Sequence, residues 1–333
     1  MKVAIVILNW NGKPLLEQFL PAMITHSKGV AEIYVADNAS TDDSVTYVKN
    51  KFSDVKIIQN NDNGGYAKGY NDALQKIDAD IFALVNSDIE VTKNWLQPII
   101  SQFKNEPNTA AIQPKILDFK DKSRFEYAGA GGGYIDKYAF PYCRGRLFET
   151  LEEDKGQFNE VADIFWASGA CFFIRKNVFN ELNGFDDSFF AHQEEIDLCW
   201  RIQNVGYKIQ YVGASTVYHV GGATLDQANP RKTYLNFRNS LFIIVKNIPK
   251  GKLLPILFIR MLLDGVAALK FLMEFQPKHF LAVLKAHFHF YMTLSKFLEK
   301  RKSIKAHKKN YYKVKSIVWQ YFVLRRKKFK QLD

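Results

Sequence analysis

The chain has 333 residues, 47% of them hydrophobic, and a formal net charge of +12, a composition that excludes disordered and collagen-like classes and leaves room for one large α/β domain with an appendage. The charge is unevenly held: residues 246–333 carry 21 Lys+Arg against 4 Asp+Glu, and residues 1–245 carry 25 against 30. A mildly acidic body with a basic tail excludes a uniformly basic nucleic-acid binder and directs attention to an anionic partner for the tail alone.

Lys2 and the short apolar run 3–8 lack the length of a signal peptide and read as a first strand. Further Val- and Ile-rich strands are expected at 32–36, 55–59, 81–85 and 110–116, with helices at 14–25, 43–52, 67–77 and 94–103 between them. This alternation predicts a parallel sheet covered on both faces. Each strand ends in polar residues: Asn9-Trp10-Asn11-Gly12, then Asp37 to Asp42, Asn60 to Gly65, and Asn86-Ser87-Asp88. Ligands bind at the carboxyl edge of such sheets.

Asp37 is placed to accept hydrogen bonds from a base or ribose, or to cap the next helix. Gly64-Gly65 admits a ligand close to the backbone, or makes a tight turn. Asp88 is placed to hold a hard cation that bridges to nucleotide phosphates; otherwise Asn86-Ser87-Asp88 is a turn. No G-x-G-x-x-G follows the first strand and no G-x-x-x-x-G-K-[ST] occurs, which weighs against a dinucleotide dehydrogenase and a P-loop enzyme.

Residues 119–160 read as loop-rich, with a glycine run at 128–133 and the pair Arg144 and Arg146. These suit a mobile lid, a contact for a charged substrate, or a solvated loop. Two strands are expected around Ser168-Gly169-Ala170. The next helix begins at Glu194-Glu195-Ile196-Asp197, and three carboxylates exceed what a helix dipole requires. Strands at 207–212 and 216–220 follow, the second carrying His219 ahead of Gly221-Gly222 as a candidate metal or phosphate ligand. Cys143, Cys171 and Cys199 form no C-x-x-C pair, so neither a disulfide framework nor a zinc site is indicated and a reducing cytosol is the expected setting.

In the tail, Arg260, Asp264 and Lys270 interrupt the apolar stretch 253–273. A narrow polar stripe beside a wide apolar face suits a helix in a membrane interface better than a span. A second helix is expected from Pro277 to Leu298 and a third from Tyr311 to Phe329, with Arg325-Arg326-Lys327-Lys328 near its end. The alternative is that these helices pack on the body or join two copies.

On these residues the chain resembles the family 2 glycosyltransferases, inverting enzymes of the GT-A fold, and in particular the rhamnosyltransferase-like enzymes of surface polysaccharide synthesis. The ordered motifs are Val6-Ile7-Leu8-Asn9-Trp10-Asn11-Gly12, Asp37 to Asp42, Asn63-Gly64-Gly65 with Gly69 and Asn71, Asn86-Ser87-Asp88, Ser168-Gly169, and Glu194-Glu195 followed by Asp197 and Trp200-Arg201. The resemblance implies a Rossmann-like, mostly parallel GT-A catalytic domain over 1–245 and an α-helical extension over 246–333. It implies donor contacts from Asn9, Asn11, Asp37, Asn38, Asn63, Gly64, Gly65, Asn86, Ser87 and Asp88. A divalent cation, Mg or Mn, would sit on Asp88 with help from His219. Acceptor contacts fall to Ser168, Gly169, His192, Asp197 and Arg201, and the catalytic base to Glu195, with Glu194 as the other candidate. Two departures stand out: Asn86 replaces a carboxylate of the metal motif, and Glu195 stands where the family carries Asp.

The expected function is metal-dependent, inverting transfer of a hexose or deoxyhexose from a UDP-, dTDP- or GDP-linked donor to a hydroxyl of a glycan or lipid-linked acceptor. The expected location is the cytoplasm, peripheral on the cytoplasmic face of the inner membrane, with an anionic membrane surface as partner and no nucleic acid. A non-catalytic nucleotide- or carbohydrate-binding scaffold of the same fold, or a nucleotidyltransferase, is the alternative.

Overall fold

The computed structural model describes residues 1–221, 229–304 and 306–332. The N-terminal half alternates as read: β1 (Val3–Asn9), α1 (Lys13–Ser27), β2 (Ala31–Asp37), α2 (Ser44–Lys51), β3 (Lys56–Gln59), α3 (Gly65–Leu74), β4 (Ile81–Asn86), β5 (Ile89–Val91), α4 (Leu96–Asn105) and β6 (Thr109–Asp118). After a small sheet of β7 (Gly133–Ile135), β8 (Pro141–Cys143), β9 (Arg146–Leu147) and β10 (Thr150–Leu151) come β11 (Val161–Asp163), β12 (Cys171–Arg175), α5 (Lys176–Glu181), α6 (Glu194–Asn204) and β13 (Lys208–His219). Three helices close the chain: α7 (Pro230–Asn247), α8 (Leu253–Met273) and α9 (Pro277–Lys302).

The main sheet runs β11-β13-β6-β12-β4-β1-β2-β3, with β5 on β13. Strands β1, β2, β3, β4, β6 and β13 point one way, and β5, β11 and β12 run against them. The period-two pattern of β1 explains the layering. Val3, Ile5 and Ile7 enter a core shared with Leu16 and Leu20 of α1 and Ile99 of α4, whereas Ala4 and Val6 face a second core with Tyr70 of α3, Trp200 of α6 and Phe242 of α7. Both faces are covered, as a parallel sheet requires.

Three expectations are corrected. Residues 119–160 are loop-rich, but they also carry β7 to β10, short strands that pair into an antiparallel sheet the sequence did not reveal. Arg144 and Arg146 are buried within it, Arg144 donating to the Gly131 carbonyl at 2.7 Å and pairing with Glu160, so neither can line a mobile lid. The two strands expected at 207–220 are one, β13, with a register irregularity between Val212 and Thr216. The third tail helix is absent: apart from short helical turns at Trp319–Val323 and Phe329–Gln331, residues 306–332 run irregularly along the small sheet. Side chains there satisfy backbone groups that a helix would otherwise pair, with Asp136 accepting from the Ile317 N–H at 2.9 Å and Glu152 from the Phe329 N–H at 3.0 Å. The 245/246 division falls inside α7, whose Phe242 ring stacks on Phe297 of α9 at 3.6 Å between centroids.

In the tail the polar stripe faces inward. Arg260 and Asp264 of α8 are 4% and 1% exposed, paired with each other at 2.8 Å, with the Arg260 guanidinium over the Phe140 ring and His287 of α9 3.3 Å from Asp264. Leu254, Phe258, Leu262, Val266, Leu269 and Met273 of α8 and Leu281, Leu284, Phe288 and Met292 of α9 therefore face outward and are exposed, and Phe275 at the bend is 93% exposed. Among the described residues no helix is long and apolar enough to cross a membrane.

Candidate active site

The carboxyl edge of the sheet brings the polar strand ends together. Asn9 Nδ2 donates to Asp37 Oδ1 at 2.9 Å and to Ser44 Oγ at 3.0 Å, and Asp37 Oδ2 accepts from the Ser40 N–H at 3.0 Å. Asn38 Nδ2 donates to the Gly65 carbonyl at 3.0 Å, and its Oδ1 accepts from Asn60 at 2.8 Å. Asn9, Asp37 and Asn38 are thus buried and lock the loops to one another. Asn11 and Asn63 are exposed and Gly64 partly so, which leaves them free to meet a ligand. Asn11 takes a left-handed φ of 49° and accepts from the Thr41 N–H at 2.7 Å. At Gly65, with φ of 81°, an added Cβ would lie 2.4 Å from the Phe190 carbonyl, so both the conformation and the space require glycine.

From β4 the same edge continues to β12 and α6. The Asn86 N–H donates to the Ala170 carbonyl at 2.9 Å, and Tyr66 Oη donates to the Gly169 carbonyl at 2.7 Å. A Cβ added at Gly169 would sit 3.1 Å from Tyr66 Oη and 3.7 Å from the Glu195 carboxyl carbon. Asn86, Ser87, Gly169 and Glu195 are all partly exposed along this line, while Ser168 is buried, its hydroxyl donating to the Ala128 carbonyl. Tyr66 was not singled out from sequence, although it directly follows Gly64-Gly65.

Glu194 is buried, and burial followed by the neighbouring Glu195 holds its carboxyl well above the usual range. Burial also pushes Glu195 up to about 7, partly offset by the backbone N–H groups of Glu195, Gln193 and Ile196. Each glutamate keeps an Oε2 buried without a protein partner, as His192 keeps its Nε2. Burial, then Lys232, lowers His192 to about 4, so at neutral pH it is an uncharged imidazole. The chain enters α6 through left-handed Phe190 (φ 66°), His192 (φ 70°) and Gln193 (φ 70°). Such conformations cost about 1–3 kcal/mol each and persist where the surroundings enforce them.

Asp197 and Arg201 depart from the expected acceptor role. Asp197 is fully buried and meets Arg201 Nε at 2.9 Å, Lys246 Nζ at 2.8 Å and Asn247 Nδ2 at 2.9 Å. Arg201 spends its remaining donors on the carbonyls of Leu182 and Gly184, both at 2.8 Å. Together they anchor α6 to α7.

At the end of β13, His219 Nε2 lies 3.2 Å from Asp88 Oδ1 and its Nδ1 lies 3.3 Å from Glu126 Oε1, the latter a charge contact without hydrogen-bond alignment. All three side chains are buried. Burial opposes charge on His219, but Glu126 and the contact with Asp88 outweigh it and push the imidazole up to about 10. Glu126 lies in a segment with no recognisable motif, so only the fold reveals it. Asp88 Oδ1 and His219 Nε2 could take two neighbouring positions around one divalent ion, provided the ion displaces the proton that the imidazole carries in its absence. Among the described residues no group of three His, Cys, Asp or Glu could hold a metal, so the remaining ligands would come from diphosphate and water, as is usual for magnesium. Gly222 of the Gly221-Gly222 pair lies outside the described residues.

With this geometry in view, the sequence profile described as Glycosyl transferase family 2 matches residues 4–182. The chain belongs to glycosyl transferase family 2. The glycosyltransferase is 24% identical over 230 residues to an N-acetylglucosaminyl-diphospho-decaprenol L-rhamnosyltransferase of Mycobacterium tuberculosis, covering 65% of this chain and 75% of that protein. It is also 24% identical over 247 residues to the low-salt glycan biosynthesis hexosyltransferase Agl10 of Haloferax volcanii, covering 71% and 73%. Among solved structures it is similar to GalNAc-T7 with UDP, GalNAc and Mn2+, at a TM-score of 0.62 and 16% identity, covering 98% of this chain but only 56% of that one. The mannosyltransferase PcManGT of Pyrobaculum calidifontis, with GDP-Man and Mn2+, aligns at a TM-score of 0.54 and 14% identity, covering 90% and 84%. These likenesses establish the GT-A fold with its helical C-terminal region.

Proposed function

We propose that this glycosyltransferase moves a hexose or deoxyhexose, with inversion, from a nucleotide-diphosphate donor to a hydroxyl of a lipid-linked or growing glycan. The observation that carries the reading is the enclosed Glu194–Glu195 pair, with one carboxyl poised near neutrality, on the same sheet edge as Asp88 and His219. Glu195 is the general base: its group is matched to neutral pH, and it lies beside Gly169, where an acceptor can approach the bare backbone. Asn11, Asn63 and Gly64 meet the donor at the cleft mouth, with Asn86 and Ser87 beside the diphosphate. Asn9, Asp37, Asn38 and Gly65 shape the donor loops from beneath. His192 faces the acceptor side as a neutral ring, and Ser168 supports Gly169 from below. Asp88 and His219 would hold a divalent cation, Mg or Mn, which supplies Lewis-acid stabilisation of the leaving diphosphate when bound. The Mn2+ and nucleotide ligands named for structural relatives support this donor class.

The acceptor class is supported by the diphospho-decaprenol substrate named for the mycobacterial relative and by the outward apolar face of α8 and α9. We place the enzyme peripherally on the cytoplasmic face of the inner membrane, in keeping with three free, buried cysteines. Exposed Lys250, Lys252, Lys270, Lys278, Lys285 and Lys296 accompany the apolar face, so an anionic leaflet complements it in both hydrophobicity and charge. Burying a Leu or Phe side chain fully is worth about 1.5–3 kcal/mol, and ten such outward residues suffice to seat the hairpin.

A panel of UDP-, dTDP- and GDP-sugars, offered with a polyprenyl-diphosphate-linked sugar in vesicles, tests the reaction. Transfer from one donor is expected, and no transfer from any would overturn it. In flotation, the protein is expected to rise with phosphatidylglycerol vesicles at physiological salt, and a Leu254→Ser, Phe258→Ser, Leu262→Ser triple variant to stay below. Failure of the wild type to float, or sedimentation as a stable dimer that loses this state in the triple variant, would count against the membrane.

A further inference from the structure

We propose that the C-terminal helices α7 and α9, more than the nucleotide-binding half, set the working position of the glutamate pair, with Asn239 of α7 as the positioning residue and Lys300 of α9 as a second anchor. The proposal rests on Glu195 as the base.

The segment in question, residues 186–193, has no glycine, yet it holds Phe190, His192 and Gln193 at positive φ directly before Glu194. A local turn bond from the Ala191 N–H to the Phe189 carbonyl at 2.8 Å spans Phe190, but the positive φ of His192 and Gln193 is held by partners outside the segment. Asn239 is fully buried, and its Nδ2 donates to the carbonyls of Phe189, Ala191 and His192 at 3.2, 3.0 and 2.7 Å. Its Oδ1 accepts from Arg238 Nε at 2.9 Å, and Arg238 Nη2 in turn reaches the Phe189 carbonyl at 2.9 Å. Gln193 is gripped at both ends of its amide: Nε2 donates to the Asn236 carbonyl at 3.1 Å and Oε1 accepts from Ser240 at 3.0 Å. One face of α7 thus orients successive peptides from Phe189 to Gln193.

The start of the segment is tied to the tail in the same way. Asp186 pairs with Lys246 at 2.7 Å and with Lys300, and Lys300 also donates to Ser188 Oγ at 2.8 Å. On the opposite side α3 holds the segment at two points: the Phe190 carbonyl accepts from the Tyr66 N–H at 2.8 Å, and Asn71 Nδ2 donates to Asp187 Oδ1 at 2.6 Å. The first fixes one peptide, whereas α7 fixes those on either side of it. The peptide that α7 turns at Gln193 carries one of the N–H groups facing the Glu195 carboxylate, so a shift there reaches the base directly.

Catalytic groups tolerate little displacement: about 1 Å costs on the order of 10²-fold. In the full-length protein, Asn239→Asp sets a carboxylate against three carbonyls while leaving an acceptor for Arg238. It is expected to stay folded, to lower kcat by about 10²-fold, and to change the donor KM far less. Because a displaced Gln193 N–H no longer holds the Glu195 carboxyl down, and a buried negative charge is added nearby, the acid limb of the pH–rate profile is expected to move to higher pH. Lys300→Met, remote from the glutamates, is expected to shift the limb in the same direction with a fall of about tenfold, and it decides the matter if Asn239→Asp fails to fold. Wild-type kcat and limb in a folded variant would overturn the proposal. So would a loss of rate that merely follows the folded fraction while the limb stays in place. Glu195→Gln run in parallel separates the two ideas: its retained turnover sinks the base, whereas an inactive Glu195→Gln beside normal anchor variants sinks only the positioning role.

Discussion

Glu195→Gln is expected to bind nucleotide as the wild type does and to lose transfer by about 10²- to 10⁴-fold, the usual worth of a positioned general base. The amide keeps the shape of the side chain and removes its ability to accept a proton, so the loss belongs in kcat. In the wild type the base works only when ionised. With Glu195 near 7, the rate is expected to rise with pH through neutrality and then level off. The same shift predicts a stability effect. A carboxyl whose folded value lies above its unfolded one stabilises the fold at low pH, and that contribution is lost as pH rises from about 4.5 to 7. The working, ionised enzyme is therefore the less stable form, and Glu195→Gln should melt higher than wild type at pH 8 but not at pH 4. Near wild-type turnover, or identical melting differences at the two pH values, would remove Glu195 from this role.

Asp88→Ala should abolish the Mn2+ dependence of nucleotide binding in calorimetry, with a loss in affinity of at least about 10²-fold, since even groups that only orient a ligand residue are worth 10–100-fold. The effect is large because Asn86 contributes no charge and leaves Asp88 as the one carboxylate of its motif. His219 retains Glu126 as a partner in the variant, so the fold at the end of β13 should survive and thermal melting should change little. Mn2+ alone should bind the wild type far more weakly than Mn2+ with a nucleoside diphosphate, because no third protein ligand joins the pair among the described residues. Unchanged Mn2+-dependent heats in Asp88→Ala would refute the assignment.

Much of this architecture is legible in the sequence because the parallel strands bury both faces and leave continuous Val and Ile runs, each stopped by a polar cluster at the ligand edge. Asp88 and the glutamates stand out for the same reason: charge interrupts an apolar pattern. What stayed hidden depends on distant partners. Glu126 meets His219 only through the return of residues 119–126 past β13. Asp197 and Arg201 read as acceptor contacts in sequence, yet Lys246, some fifty residues on, draws Asp197 into the interior. The small sheet of β7 to β10 was hidden because strands of two or three residues are too short for a period-two signal to register. Residues 311–329 read as helix because aromatic and basic residues recur there, whereas Asp136 and Glu152 take the backbone N–H groups of Ile317 and Phe329.

The outward apolar face of α8 and α9 also changes how the kinetics of such an enzyme are to be expressed. Seated in a leaflet by that face, the protein meets a lipid-linked acceptor by lateral diffusion within one surface, while the donor arrives from the bulk. The two substrates then follow different concentration scales: molar for the nucleotide sugar, and mole fraction of lipid for the acceptor. Adding empty vesicles would dilute the second without touching the first, and a rate that falls under such dilution at constant total acceptor reports encounter in two dimensions.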